Sequence, residues 1–366
     1  MKVLRVINSL HIGGAERSIA GNVPVHLKNG YEIDVLLLDG SETFFYNELK
    51  AQGVKVYQLG VKNNIYNPIL IFKIIKYLRN YDIIHVHLFP SLYWVAIAKI
   101  ISFSKVELVF TEHSTSNRRR GSMFFKIFDS IIYKIYKVII CISDATKSDL
   151  QKHLFFKHDL RVIENGVDIL KLIAESQNRV KDFKTKFKEK KIILQIAGFR
   201  DEKDQDTLIK SLPLLPEEFV VVFIGDGKRL EFCQQLAKDL NVSQRVEFLG
   251  LKDNVGSYIH SADVIVMSSH WEGFGRAAVE GMALKKPVIA SNVSGLSDVV
   301  GGAGLLFEVG DYKMLAEHIL TLFNDEVYYN GVAQNCYLRS RDYDISKMIN
   351  SYEHIYDVMI SQKNFN

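Results

Sequence analysis

Short, almost uninterrupted apolar runs alternate along the chain with longer stretches in which apolar residues recur at helical spacing. In the first half the runs cover residues 3–8, 33–38, 54–58, 83–88, 108–113, 138–143 and 161–163. Between them lie helical patterns at 15–28, 44–51, 68–79, 92–101, 123–136 and 145–153. Runs that are apolar on both faces predict strands of a parallel sheet with helices on each side. The turn Glu164-Asn165-Gly166-Val167-Asp168 closes this half, and a polar, Lys-rich stretch to about residue 191 follows. The scheme then repeats, with runs at 192–197, 220–224, 246–249, 264–267, 288–290 and 305–307. Helical patterns lie at 205–212, 228–240, 255–262, 276–284 and 313–323, and residues 327–361 read as helical with a Tyr-rich apolar face. The expected organisation is α/β: a Rossmann-like domain over 1–170, a linker with a helix in it over 171–190, and a second Rossmann-like domain over 191–344. Ligands of such sheets sit at the carboxyl ends of the strands, so two lobes facing each other would leave a ligand cleft.

Composition narrows the class. At 366 residues two lobes are the natural division, and 48% hydrophobic content suffices for sizeable cores. The cysteines Cys141, Cys233 and Cys336 are odd in number and far apart, which suits a reducing cytoplasm and not a disulfide framework. Met1-Lys2 leads directly into the first strand without a signal-peptide pattern, and no apolar run reaches bilayer-spanning length. A cytoplasmic protein is expected. The net charge of +4 is unevenly shared: residues 1–170 hold 22 Lys+Arg against 15 Asp+Glu. That falls short of a nucleic-acid footprint but fits a lobe that meets an anionic surface or acceptor.

The most informative stretch is 268–288. The strand at 264–267 breaks at Ser268-Ser269-His270, passes Gly273-Phe274-Gly275 and opens a helix at Arg276. A strand, a Gly-rich turn and a helix N-terminus make an anion site, because free N–H groups and the positive end of the helix dipole point the same way. Glu272 precedes the turn and Glu280 lies inside the helix. Carboxylates beside a phosphate cradle are poor phosphate ligands but good acceptors for sugar hydroxyls. The ligand expected is part diphosphate and part polyol, a nucleotide sugar. The bland alternative is an ordinary strand–turn–helix with two solvated glutamates.

Five other segments end predicted strands. Gly13-Gly14-Ala15-Glu16-Arg17 opens the first helix, where glycine admits a close ligand; it lacks the dinucleotide fingerprint, which argues against a nicotinamide enzyme. Thr111-Glu112-His113-Ser114 ends a strand on the ligand side. Gly198-Phe199-Arg200-Asp201-Glu202-Lys203 offers an Arg fork and a Lys point charge to a diphosphate, or else is a solvated charge cluster. Gly225-Asp226-Gly227 and Phe248-Leu249-Gly250 are weaker signals, since strand-terminal glycines are common.

Glu272-Gly273-Phe274-Gly275 with Glu280, Gly281-Met282-Ala283 and Lys286-Pro287-Val288 resembles the Glu–seven–Glu signature of retaining glycosyltransferase family four. The resemblance covers essentially the whole chain. It implies the GT-B fold, two Rossmann-like lobes whose parallel sheets face an interlobe cleft, with the last helix, about 345–366, packed back on the first lobe. It implies that Glu272 holds hydroxyls of the transferred sugar and that His113 bonds that sugar or orients the acceptor, these two being the catalytic candidates. Gly13 and Gly14 would face the donor diphosphate, Asp226 and Gly250 would border base and ribose, and Glu280 would hold the ribose diol. Arg200, Lys203 and the turn Gly273, Phe274, Gly275 would stabilise the leaving diphosphate in place of Mg²⁺. The family more often has Arg directly after the Gly, whereas Phe199 intervenes here, so Lys203 carries over more securely than Arg200. No metal and no cofactor are expected.

The function implied is metal-independent transfer, with retention, of a hexose or N-acetylhexosamine from a UDP-sugar, or alternatively a GDP-sugar. The implied acceptor is a polyprenyl-diphosphate-linked glycan of a bacterial capsule, exopolysaccharide or O-antigen. The alternatives are a nucleotide-sugar epimerase of the same fold and a non-catalytic nucleotide-sugar-binding subunit. One segment stands apart. Residues 122–137 carry polar residues on one stripe and Met, Phe, Ile and Tyr elsewhere, after Arg118-Arg119-Arg120. They read either as a helix packed on the sheet with a solvated Lys edge or as an interfacial helix on anionic lipid at the inner face of the membrane.

Overall fold

The computed structural model describes residues 1–11, 13–60, 64–113, 121–156, 158–177 and 186–364. The chain divides into two compact units, Met1–Gly166 with Ile345–Asn366, and Val167–Asp344.

The first unit is built on seven parallel strands: β1 (Lys2–Ile7), β2 (Glu32–Leu37), β3 (Val56–Gln58), β4 (Ile83–His87), β5 (Glu107–Glu112), β6 (Val138–Cys141) and β7 (Leu160–Val162). Their order is β3-β2-β1-β4-β5-β6-β7. The winding reverses between β1 and β4, so the loops leaving those two strands flank the switch point where such sheets bind ligands. Both faces are covered, and successive residues of each strand enter different cores. Val3 and Ile7 join Val35 and Val109 on one face, while Leu4 and Val6 join Leu36 and Ile84 on the other.

The helix Ile345–Asn364 closes the first of these faces. Ile345, Met348, Ile349, Tyr352, Ile355 and Tyr356 recur at three- and four-residue spacing and are all buried in that core. Burying each contributes about 1.5–3 kcal/mol as an upper bound. The helical stretch expected over 327–361 comprises two helices: Glu326–Ser340 is followed by a 3-10 turn, Arg341–Tyr343, before the last helix begins. Its tyrosines therefore serve two cores, Tyr343 the second and Tyr352 and Tyr356 the first.

The second unit repeats the scheme with β8 (Lys191–Ile196), β9 (Phe219–Ile224), β10 (Val246–Phe248), β11 (Val264–Met267), β12 (Val288–Ser291) and β13 (Leu305–Phe307). All pairings are parallel, in the order β10-β9-β8-β11-β12-β13, and the switch point falls between β8 and β11. The helix Ile169–Gln177 belongs to this unit, with Leu172 in its core and the Glu175 carbonyl accepting from Ser257 Oγ at 2.8 Å. Among the described residues no helix is long and apolar enough to cross a membrane.

The helix Met123–Tyr133 corrects one reading of the sequence. Its polar stripe faces inward, with Asp129, Ser130 and Tyr133 buried, and Met123, Phe124, Ile127, Phe128 and Ile131 exposed. Buried partners satisfy the inward groups: Asp129 accepts from Tyr93 Oη at 2.6 Å and lies 2.8 Å from His153 Nε2, and Tyr133 Oη donates to Glu112 at 2.6 Å. Arg118, Arg119 and Arg120 lie outside the described residues, as does Ser114.

Candidate active site

The loops leaving β8 and β11 are fastened to one another at the switch point of the second sheet. Gln195, fully buried on β8, donates from Nε2 to the Lys203 carbonyl and to Ser268 Oγ, both at 3.1 Å. Ser268 Oγ donates to the Asp204 carbonyl at 2.7 Å, and the His270 amide donates to the Glu202 carbonyl at 2.9 Å. Asp204 takes a left-handed conformation, φ 44°, which aspartate tolerates better than most residues, and its carboxylate accepts from Thr207 Oγ1 at 2.6 Å. These bonds bring a cation from one loop against a carboxylate from the other. Lys203 Nζ and the Glu272 carboxylate form an ion pair in which both side chains keep a little under one-fifth exposure.

Phe199 stands between Gly198 and Arg200. It is buried, its ring packs against Phe223 and Phe248, and its amide donates to the Asp226 carbonyl. Arg200, next in the chain, is thereby turned outward, 62% exposed and 3.8 Å from Glu202. Gly225 is required where β9 ends: its φ is +148°, and a Cβ there would stand 2.0 Å from the Ala197 carbonyl oxygen. That close approach sets the β9 loop against the β8 loop. Asp226 is exposed beside it, and the Gly250 carbonyl accepts from the Gly225 amide at 3.0 Å. Arg200, Lys203, Asp226, Gly250 and Glu272 thus lie on four loops along one edge of the sheet.

The helix Arg276–Ala283 begins at Gly275, whose φ of +87° turns the chain out of the β11 loop. A side chain there would strike Leu296, and its backbone conformation is one that residues other than glycine rarely adopt. Gly273 is partly exposed, while the Phe274 side chain is buried against Tyr343, leaving only its backbone for a ligand. Glu280 is 2% exposed and accepts from Arg276 Nε at 3.0 Å one turn earlier. Arg276, not singled out from the sequence, is therefore part of this end of the helix.

In the first unit Gly13 is the extended N-cap of the helix Gly14–Lys28, directly after the β1 loop, and Gly14 opens on free space. Asn8, at the end of β1, ties that loop to the β4 loop, donating to the Phe89 carbonyl at 2.8 Å and accepting from Ser91 Oγ at 2.8 Å. His113 follows β5, half-buried, with Nε2 2.9 Å from His87 Nδ1. Burial and the charge of Arg5 hold the His113 pKa down to about 3, so its ring is neutral at ordinary pH.

The group behind His113 was missed in the sequence. Arg5, fully buried, lies in the middle of β1, and His85 and His87 lie on β4 on the same face. The signal was available, because a charged residue interrupts an otherwise apolar central strand. Among the described residues no cluster of His, Cys, Asp and Glu has the grouping of a metal site.

Along most of its length the chain is similar to known glycosyltransferases. Residues 12–170 match the family model described as Glycosyltransferase Family 4, and residues 176–339 match that of Glycosyl transferases group 1. The chain is 28% identical over 299 residues to the N-acetyl-alpha-D-glucosaminyl L-malate synthase of Bacillus anthracis, covering 78% of this chain and 77% of that one. It is 24% identical over 357 residues to the N-acetylgalactosamine-N,N'-diacetylbacillosaminyl-diphospho-undecaprenol 4-alpha-N-acetylgalactosaminyltransferase of Campylobacter jejuni, covering 93% and 95% of the two chains. The crystal structure of Anabaena Alr3699/HepE in complex with UDP and glucose superposes with a TM-score of 0.86 at 21% identity, covering 98% of this chain and 100% of that one. The two family matches together take in nearly the whole of both units, and the chain belongs to glycosyltransferase family 4, with the GT-B fold.

Proposed function

We propose that this glycosyltransferase moves a hexose or N-acetylhexosamine from a UDP-sugar to a lipid-linked glycan acceptor, with retention at the anomeric carbon and without a metal. The observation that carries the reading is the meeting of Lys203 and Glu272 at the switch point of the second sheet. A cation beside a carboxylate at the mouth of a Gly-rich turn suits a ligand that joins a diphosphate to a polyol. Lys203 would part from Glu272 to hold the leaving diphosphate, with backbone N–H groups of the Gly273–Gly275 turn and the exposed Arg200 adding positive potential in place of Mg²⁺. Glu272 would then accept from sugar hydroxyls, and Glu280, steadied by Arg276, from the ribose diol. His113 would donate to the transferred sugar. Retention needs no enzyme nucleophile if the leaving phosphate takes the acceptor's proton on the face it departs from.

UDP as the nucleotide is supported by the UDP complex of the similar Anabaena protein, and a polyprenyl-diphosphate acceptor by the Campylobacter relative's name. The outward apolar face of the helix Met123–Tyr133 supports delivery of that acceptor at a membrane surface. Phe124, Phe128 and Ile131 would enter the headgroup region, with Lys126 and Lys134 beside them to meet anionic lipid. Assembly of a bacterial surface polysaccharide is the role these parts fit. The test is a transfer assay with a panel of nucleotide sugars and a short-chain polyprenyl-diphosphate glycan, in excess EDTA, with the product's anomeric configuration read by NMR. Retained configuration with a UDP-sugar in EDTA is expected. Inversion, or a strict Mg²⁺ requirement, would overturn the mechanism.

A further inference from the structure

Arg5 is fully buried in the first unit and is met by rings, not carboxylates. Its Nη1 lies 2.7 Å from His85 Nδ1 and 3.2 Å from His87 Nε2, and its Nη2 lies 3.3 Å from His26 Nε2. The rings of Tyr352 and Tyr356 on the last helix lie 4.9 and 5.6 Å from the guanidinium carbon. A guanidinium is always charged and only donates, so each of the three nitrogens facing it must be a lone pair. The proton of each neutral imidazole is thereby sent to its other nitrogen, and each of those nitrogens meets an acceptor. His26 Nδ1 lies 2.9 Å from Glu353 Oε1, His85 Nε2 lies 2.6 Å from Thr111 Oγ1, and His87 Nδ1 lies 2.9 Å from His113 Nε2.

The last of these has a consequence for the reaction. If His87 Nδ1 carries the proton, His113 Nε2 must accept it, and the proton of neutral His113 must then sit on Nδ1. We propose that Arg5 and His87 are positioning residues that lock His113 into its Nδ1–H tautomer, making it a hydrogen-bond donor to the transferred sugar and not a general base. The inference rests on the reading of His113 as a substrate contact. It adds a direction to that contact: His113 gives a hydrogen bond to an oxygen of the substrate, and a sugar with hydrogen in place of that oxygen loses the bond. The geometry explains why a charged residue is accommodated in the centre of a parallel strand. An apolar residue there would leave three buried imidazoles free to choose the other tautomer, and the direction of the chain of donors from His87 to His113 would no longer be fixed.

The experiment uses the full chain with ¹⁵N-labelled histidine and long-range ¹H–¹⁵N correlation, which separates Nδ1–H from Nε2–H rings. His113, assigned by loss of its signals in His113→Gln, is expected to be a neutral Nδ1–H ring from pH 5 to 8. Finding it as the Nε2–H tautomer, or titrating in that range, in the unaltered protein would overturn the proposal without any variant of the relay. His87→Phe, which keeps the ring volume and removes both nitrogens, is expected to mix the two His113 tautomers and lower kcat at least roughly 10-fold with little change in donor KM. It should also give the kcat profile a new titration near neutrality, which loss of packing alone would not create. His87→Gln, which can both accept from Arg5 and donate onward, is expected to restore a single tautomer and most of kcat. If His113→Gln leaves transfer unchanged, the substrate contact itself is wrong. If His113→Gln abolishes transfer while His87→Phe leaves tautomer and profile as before, the contact stands and the relay falls.

Discussion

Lys203 and Glu272 stand 69 residues apart in the chain and meet as an ion pair, each carried by the loop that leaves one of the two strands at the switch point of the second sheet. The pair is built by the backbone beneath it, since Gln195, Ser268 and Asp204 fasten the two loops together. Each charge balances the other until a ligand with complementary charges arrives. In the proposed function a diphosphate would take the lysine and a sugar hydroxyl the carboxylate, so donor binding would exchange one set of charge-assisted bonds for another.

The two glutamates should separate kinetically. Glu280 is assigned to the ribose, which is unchanged by the reaction, so Glu280→Gln should raise the donor KM with a smaller effect on kcat. Glu272 is assigned to the sugar whose ring becomes oxocarbenium-like, so Glu272→Gln should act mainly on kcat, by about 10²–10³-fold. Steady-state kinetics with the preferred donor decide it. The reverse pattern would exchange the two assignments.

Stability of the first unit should fall steeply in acid. Burial first, and then the charge of Arg5, holds the His26 pKa at about 2 and those of His85 and His87 well below the ordinary value. The unfolded chain takes up these protons below about pH 6.5 and the folded chain does not, so stability is complete above that pH and is lost as pH falls. Each of the three buried imidazoles adds to that loss. Glu353, whose carboxyl is pushed up by burial, accepts a proton early in the folded state and offsets a part. Trp94 reports on the first unit and Trp271 on the second. Denaturant titrations of Trp271→Phe by Trp94 fluorescence should show the midpoint dropping between about pH 6 and pH 4. A flat midpoint over that range would mean the imidazoles are already charged in the folded protein.

The inverted helix makes a membrane prediction. Sedimentation with liposomes should rise with the fraction of anionic lipid and fall with added salt, which screens the lysine contribution within about 10 Å at 0.1 M. Phe124→Ser with Phe128→Ser should release the protein from vesicles while leaving its thermal midpoint within about 1 °C, because both rings are already exposed. Undiminished vesicle binding by that variant would place the contact elsewhere.

The helix just discussed also marks where the sequence stops being legible. Strand and helix order could be read from apolar periodicity because nearly every strand is buried on both faces, as in Val220, Val221 and Val222 on β9. The loops carrying Lys203 and Glu272 were legible because strand-to-helix turns with glycine announce the carboxyl edge of such a sheet. Residues 123–133 misled because periodicity shows that a helix has two faces, not which one is buried. Asp129 and Tyr133 could turn inward only because His153, Tyr93 and Glu112 wait there, and those partners are distant in sequence. Arg5 escaped notice for the same reason: its partners come from β4, the first helix and the last one.

The site at the second switch point is tested most directly by calorimetric titration of UDP into the unaltered protein and into Lys203→Ala. The unaltered protein should bind one UDP. Lys203→Ala should bind it at least about 10-fold more weakly, because a charge-assisted bond to phosphate is worth about 1.5–3 kcal/mol. It should also stay folded, since the lysine lies at the mouth of the site and not in the core. Equal affinity of the two proteins for UDP would contradict the assignment of the donor diphosphate to Lys203.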